Sequence, residues 1–161
     1  MRKIFLCSLL IGIAMTASSQ PPKENGKIYM THPYIDVVNN ATKAYLANDM
    51  KTCASFFADS AWVWVSGMQD PMKLQEAMKL FATDFDFYKD IKLTQQGYPD
   101  FLHYIDQDGQ FVQSWWTWSG VSKKTGDTLK IPLVQFDNFN KDGKIQGELI
   151  YGDFSKMVKE K

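Results

Sequence analysis

The chain has 161 residues, 45% of them hydrophobic, and its 18 lysines and arginines balance its 18 aspartates and glutamates. This length corresponds to one domain, and this hydrophobic fraction can supply a core. The charge balance, in a sequence without a basic stripe, argues against a protein that binds nucleic acid.

The first residues have the pattern of an export signal. Arg2 and Lys3 precede an apolar run over residues 4–15, and small residues follow up to Ser19. The run is too short to span a bilayer. We therefore expect residues 1–19 to be a signal peptide, and the mature protein to be secreted or periplasmic and free of the membrane.

The mature chain would keep one cysteine, Cys53, which has no internal disulfide partner. This cysteine lies on an apolar stripe with Met50, Phe56 and Phe57. We expect a buried small side chain there rather than a nucleophile.

The segments that follow the signal indicate a linker and two helices. Residues 20–31 contain two prolines and an Asn-Gly pair, which is typical of a linker. Apolar residues recur at helical spacing after Pro33, and a shorter helix is predicted over about residues 50–57.

A short strand and a third helix come next. Residues 61–65 alternate tryptophan and valine, which predicts a strand. Asp70-Pro71 has the residue types of a helix start, with Asp as N-cap and Pro in the first turn. Strands are predicted from about Ile91 onward.

Three X-Gly pairs divide the C-terminal half into strand-like runs. The pairs are Asp108-Gly109, Thr125-Gly126 and Asp142-Gly143, and such pairs between aromatic and β-branched runs predict hairpins. Helices followed by an antiparallel meander indicate an α+β fold, with the N-terminal helices on one face of a curved sheet. Residues 32–161 would form this single domain.

Three segments, AYLANDMKTCASFFADSAWVWV, WTWSGVSKKTG and FNKDGKIQGELIYGDF, resemble in this order the nuclear transport factor 2-like superfamily. Within it the chain resembles the secreted polyketide cyclase-like (SnoaL-like) branch, over roughly residues 33–157. The resemblance implies a cone-shaped, cystatin-like fold, in which a bent antiparallel sheet wraps a long helix and leaves a pocket. Members include isomerases, cyclases, dehydratases, epoxide hydrolases and non-catalytic binders, so the fold does not give the function.

The catalytic positions of the ketosteroid isomerases are not matched. An ungapped pairing puts Ala41 where those enzymes have a tyrosine, Val65 where they have the basic aspartate, and Gln135 where they have a protonated aspartate. An amide can donate a hydrogen bond but cannot shuttle a proton, which argues against ketosteroid isomerase activity. The mature chain also contains no arginine, so it lacks the Asp-Arg-Asp set of the epoxide hydrolases.

Two-residue turns at the three X-Gly pairs would fix which side chains share a face. They place a polar row on one face, formed by His103, Ser114, Asp137 and Glu148. An adjacent row holds Phe101, Trp116, Gln135 and Ile150, with Trp118 opposite Leu133. Since Gln135 matches an inward position of the family, this face is assigned to the cavity. A three-residue loop over residues 124–126 with a bulge would instead move the tryptophans to the other side.

His103, Asp137 and Glu148 are the predicted catalytic residues. An imidazole beside a carboxylate can exchange protons near neutral pH, and two facing carboxyls raise the pKa of one of them. The alternatives are a structural histidine, and carboxyls that reach solvent or lysines. A metal on these three side chains is conceivable, but close ligand spacing is lacking, so we expect no metal and no other cofactor.

The predicted ligand-binding side chains lie beside this polar row. Trp116 and Trp118 offer flat apolar surfaces with an N–H donor each, although aromatic core is the alternative reading. The predicted set is Ser114, Trp116, Trp118, Gln135 and Ile150.

Three functions remain open from the sequence. The leading one is an exported domain that binds a small hydrophobic molecule in a largely apolar pocket. The second is an enzyme of isomerase, cyclase or dehydratase type that transfers protons on such a molecule. The third is a dimeric interaction module, since the opposite sheet face is apolar enough to predict a homodimer. Nothing in the sequence identifies the ligand.

Overall fold

The structure is a computed structural model that describes residues 22–106 and 109–160, with side chains described as far as Met157. The predicted signal peptide lies outside the described residues. The elements in chain order are β1 Gly26–Tyr29, α1 Pro33–Leu46, α2 Met50–Ala54, β2 Phe57–Val65, β3 Met72–Lys73, α3 Leu74–Ala82, α4 Asp84–Phe87, β4 Tyr88–Gln95, β5 Asp100–Tyr104, β6 Gly109–Ser122, β7 Thr128–Phe139, β8 Ile145–Gly152 and α5 Ser155–Glu160.

The start signal and the apolar stripe of residues 33–46 explain why this segment forms helix α1. Pro33 occupies the first turn, and His32 caps the helix by accepting a hydrogen bond from the Tyr34 backbone N–H at 3.2 Å. One face is buried, formed by Ile35, Val38, Ala41, Ala44 and Tyr45. The helix ends before Asn48, which has a φ of 54°. The predicted helix after Pro33 is confirmed.

The predicted start of the third helix is wrong. Helix α3 begins at Leu74, and residues 72–73 form the short strand β3, which pairs with β2. The Lys73 backbone N–H donates to the Glu76 carboxylate at 3.2 Å, which satisfies one of the free N–H groups at the helix start. The pairing with β2 therefore overrides the Asp70-Pro71 signal.

The segment predicted as a linker is partly a strand. Residues 26–29 form β1, which pairs antiparallel with β5 from Gly26–Tyr104 to Tyr29–Phe101. Strand β1 forms one end of the sheet order and covers the edge of β5.

The described strands form one curved, unclosed sheet in the order β1-β5-β6-β7-β8-β2-β3, and β4 also pairs with β6. The pairs are antiparallel except for β2 and β8, which run parallel. The predicted α+β class is confirmed, but the sheet is mixed rather than wholly antiparallel. The helices and the inner sheet face share one core, which includes Val38, Val63, Ala77, Tyr88, Val112 and Ile145.

The register of the third hairpin is confirmed at its polar positions. Asp137 lies opposite Glu148 and Gln135 opposite Ile150, as the Asp142-Gly143 turn predicts. A bulge then shifts the pairing between Asn138 and Phe139, close to the turn, where Asn140 accepts hydrogen bonds from two backbone N–H groups.

The register of the second hairpin is wrong by two positions. Ser114 lies opposite Gln135 rather than Asp137, and Trp116 lies opposite Leu133 rather than Gln135. The connection is longer than two residues, because the Ser122 hydroxyl accepts from the backbone N–H groups of Lys124 and Thr125. Gly126 has a φ of 82°, and its backbone N–H donates a hydrogen bond to the Ser122 carbonyl.

The first hairpin is wrong by four positions. His103 lies opposite Gln110 rather than Ser114, and Phe101 lies opposite Val112 rather than Trp116. Gly109 is the first residue of β6 and pairs with Tyr104 as the last pair of the ladder, so it is not a turn residue. The single row of four polar side chains is therefore not formed.

Candidate functional site

A cavity of about 300 Å³ lies between the helices and the inner sheet face. Most of its walls are apolar, with aromatic rings from Phe57, Phe81, Trp118 and Phe154. The other lining residues are Ala41, Thr42, Tyr45, Cys53, Val65, Ser66, Gly67, Met68, Leu80, Asp84, Leu93, Leu133, Gln135, Glu148, Ile150 and Met157. A concave, mostly apolar space with a few polar groups has the usual character of a small-molecule site.

A buried pair of carboxyl groups forms the first polar cluster. Asp137 is fully buried and Glu148 is 5% exposed. The Gln135 side-chain amide, which lines the cavity beside Glu148, donates to both carboxyls, at 2.7 Å to Glu148 Oε1 and at 3.0 Å to Asp137 Oδ2. The two carboxyls belong to residues that lie directly opposite each other on β7 and β8.

Burial sets the protonation of this pair. It raises the pKa of Asp137 to about 7, against the opposing effect of the hydrogen bond from the Gln135 amide. Burial, together with the negative charge of Asp137, raises the pKa of Glu148 well above its usual range. Near neutral pH the pair therefore holds at least one proton, shared between two carboxyls.

A phenol, a carboxylate and an indole form the second polar cluster. Trp118 Nε1–H donates to the Tyr45 hydroxyl at 2.9 Å, and that hydroxyl donates to Asp84 Oδ2 at 2.9 Å. Burial, and then the nearby charge of Asp84, raises the pKa of Tyr45 well above its usual range. The phenol thus stays neutral, and its donor is engaged by Asp84.

Cys53 belongs to the same cavity wall. It is 4% exposed, and burial, followed by the charges of Glu148 and Asp137, raises the pKa of its thiol to about 12. Its predicted burial is confirmed, and a thiol with this pKa is a poor nucleophile at neutral pH.

The structure places four of the predicted site residues in the cavity lining: Trp118, Gln135, Glu148 and Ile150. Asp137 contacts Gln135 and Glu148 without being a lining residue. The catalytic role of Asp137 and Glu148 stays a prediction.

Ser114 and Trp116 are buried in the sheet beside the cavity rather than in its lining. Trp116 Nε1–H donates to the Ser114 hydroxyl at 2.8 Å, so each satisfies a polar group of the other. Their placement fits the alternative reading of polar and aromatic core.

His103 does not reach the cavity wall. It lies opposite Gln110 on β6, and its ring centroid is 6.4 Å from that of Phe101. Burial, followed by the charge of His103, lowers the pKa of His32. The predicted placement of His103 beside Asp137 and Glu148 is therefore wrong, because the first hairpin has a different register. Its catalytic role stays a prediction without support from this placement.

Sequence reasoning missed Tyr45 and Asp84 as site residues. Tyr45 was visible as part of the apolar stripe of α1, and it lies one turn after Ala41, the position that the steroid isomerase comparison tested. Asp84 begins the short helix α4, and no local pattern singles it out. A polar-tipped side chain on an otherwise apolar stripe is the signal that would have identified Tyr45 as a site residue.

Within the described part of the chain, no group of three or more histidine, cysteine or acidic side chains is arranged to hold a metal ion. Across the same ranges, none of the helices is long and apolar enough to cross a membrane.

No family model and no curated protein matches the chain. Solved structures do resemble it. IdmH, a proposed polyketide cyclase from Streptomyces antibioticus, has a TM-score of 0.65 at 17% identity, covering 80% of this chain and 98% of that one. AusH from Aspergillus nidulans has a TM-score of 0.63 at 16% identity, covering 76% and 86%. An NTF2-like protein of unknown function from Burkholderia pseudomallei has a TM-score of 0.62 at 12% identity, covering 80% and 97%.

These likenesses concern the fold. The chain has the fold of the nuclear transport factor 2-like superfamily, as its sequence segments predict. At such identities the function must be argued from the cavity itself.

Proposed function

We propose that this protein binds one small, largely apolar molecule in the cavity between α1 and the sheet. The observation that supports this most strongly is an aromatic-lined space of about 300 Å³ that is bordered by two separate polar clusters. Burial of the apolar body would supply the affinity, at roughly 25 cal/mol per Å² of apolar surface. The polar clusters would orient the ligand.

Calorimetric titration of the bridgehead alcohol of adamantane, a compact apolar cage, tests this proposal. We expect one site per chain in the native protein and loss of that site in Ala41→Phe, because Ala41 lines the cavity and a ring there fills it. Ala47→Phe is the matched control, since Ala47 is exposed at the end of the same helix. Equal binding by Ala41→Phe and the native protein, both folded by circular dichroism, would contradict the proposal.

One observation favours proton-transfer catalysis as a second candidate. Glu148 lines the cavity, and its buried neighbour Asp137 has a pKa of about 7, near the value at which a general acid or base works best. Such a pair suits the removal of a proton from the carbon beside a carbonyl group, a step on which isomerase, cyclase and dehydratase chemistry can all draw.

Deuterium exchange at the carbon beside the carbonyl of a decalone, a bicyclic ketone, tests this second candidate. If Glu148 transfers the proton, Glu148→Gln should slow the exchange by roughly 10²–10⁴-fold while adamantanol still binds. Exchange at the uncatalysed rate in the native protein would contradict the catalytic candidate and leave binding as the proposed function.

The proposal includes export of the mature chain. It is supported by the sequence of residues 1–19, which has a basic start, a short apolar run and small residues before Gln20. N-terminal mass analysis of the protein from the periplasm of a Gram-negative host should give a chain that begins at Gln20.

A further inference from the structure

Most strong side-chain donors of the cavity are hydrogen-bonded within the protein, whereas one buried acceptor has no partner among the described residues. These donors are engaged inside the protein: Trp118 N–H by Tyr45, Tyr45 O–H by Asp84, and the Gln135 amide by the carboxyl pair. The other side-chain donors of the lining are the Thr42 and Ser66 hydroxyls and the Cys53 thiol.

Acceptors are in excess at the carboxyl pair. The amide group of Gln135 offers two hydrogens to four carboxyl oxygens, and Glu148 Oε2 is buried without a hydrogen-bond partner among the described residues. A buried polar atom without a partner is costly and calls for an explanation. A ligand that brings donors would supply the missing partner.

The titratable groups of the lining, and Asp137 behind it, are all acidic or weakly acidic. Asp137 on β7 and Cys53 on α2 face Glu148, while Tyr45 on α1 and Asp84 on α4 line the same cavity. The residues that β2, β4, β6, α3 and α5 contribute to the lining are uncharged. No lysine, arginine or histidine belongs to the lining of the described residues, so nothing there would neutralise an anionic ligand.

Resting on the proposed binding function, we infer that the cavity selects small apolar amines, with the ligand ammonium group bound by the Glu148 carboxyl. An ammonium group has three donors and no acceptor, which complements an acceptor-rich site. The aromatic walls accommodate the apolar body and attract a cation through their ring faces. A carboxylate ligand would instead meet like charge.

Binding of an ammonium ion has a consequence for protons. The cation favours the singly ionised pair, in which the remaining proton moves toward Asp137 and Glu148 becomes the carboxylate. When the pair starts fully protonated, one proton is released to solvent for each amine bound. Amine affinity should therefore rise with pH across the range in which the pair ionises.

Three adamantane derivatives with the same cage test this: the bridgehead amine (amantadine), alcohol and carboxylic acid. Between about pH 6 and about pH 8 the affinity for amantadine should rise on the order of tenfold, as the pair ionises around neutrality. The alcohol should change little, and the acid should bind more weakly than both. Titration below neutral pH in buffers of different ionisation enthalpy should show proton release with amantadine only.

Glu148→Gln keeps the shape of the side chain and should abolish both the pH dependence and the proton release of amantadine binding. Asp59→Asn, an exposed carboxyl on β2, is the matched control and should leave both unchanged. If amantadine shows no rise with pH, or the acid binds as tightly as the amine, the inference fails while alcohol binding preserves the proposed function. If none of the three binds, both fail.

Discussion

The indole N–H of Trp118 and the hydroxyl of Tyr45 are joined by a buried hydrogen bond of 2.9 Å across 73 positions of sequence. This bond links the middle of β6 to the last turn of α1, and Asp84 extends it to α4. The Tyr45 hydroxyl therefore connects α1, α4 and β6 by two hydrogen bonds.

Tyr45→Phe should therefore destabilise the fold. The substitution keeps the ring but leaves the Trp118 N–H without its acceptor and removes a donor from Asp84. We expect a loss of about 1–3 kcal/mol in the free energy of unfolding, measured by urea denaturation. Tyr104→Phe, on a partly exposed tyrosine of β5, should change stability by less than about 0.5 kcal/mol. Equal effects of the two would contradict the role of the bond.

Stability should fall as pH rises through the neutral range. The folded pKa of Asp137 is about 7, above the ordinary value of 3.8 that applies to the unfolded chain, and that of Glu148 is also raised. Between these values the folded state binds more protons than the unfolded state, so the free energy of unfolding decreases with pH. The slope is about 1.4 kcal/mol per pH unit for each extra proton held.

Urea denaturation at about pH 5 and about pH 8 measures this slope. Asp137→Asn should make the slope smaller without removing it, because the neutral amide cannot ionise while burial still raises the pKa of Glu148. Asp59→Asn should leave it as in the native protein. A native protein that gains stability over this range would show that the carboxyl pair is not protonated as described.

The outer sheet face predicts a homodimer. Trp115, Val134 and Tyr151 lie in one row across β6, β7 and β8. Trp115 is 36% exposed and Tyr151 is 42% exposed, so this row leaves large apolar surface open in the single chain.

Light scattering at micromolar concentration should give a dimer for the native protein and a monomer for Trp115→Lys. Tyr98→Lys, on an exposed tyrosine outside the strands, should remain a dimer. A monomer mass for the native protein would contradict the predicted dimer and would leave the proposal of a ligand-binding cavity unaffected.

The sequence predicted the sheet faces better than the pairings. Both hairpin errors are even, two positions at Thr125-Gly126 and four at Asp108-Gly109. Because side chains alternate along a strand, an even slip keeps each side chain on its predicted face. This is why Trp118 was placed correctly in the cavity although its predicted partner was wrong. Gln135 and Glu148 lie on strands whose pairing was predicted correctly at these positions.

What sequence reasoning missed depends on contacts between distant parts of the chain. The loop after Ser122 has its length because of hydrogen bonds to one hydroxyl, which an X-Gly pattern does not reveal. Asp84 becomes a site residue only when α4 packs beside Tyr45. The apolar periodicity of α1 after Pro33, in contrast, is local, and it was read correctly.

The most direct test of the account follows the indole N–H signals during a titration with bridgehead adamantanol, using nuclear magnetic resonance. Trp118 lines the cavity, while Trp62 is 39% exposed and faces away from it. The account predicts that the Trp118 signal moves to saturation at one ligand per chain while the Trp62 signal stays. Movement of the outer tryptophans alone, or of no tryptophan at all, would contradict a ligand-binding cavity.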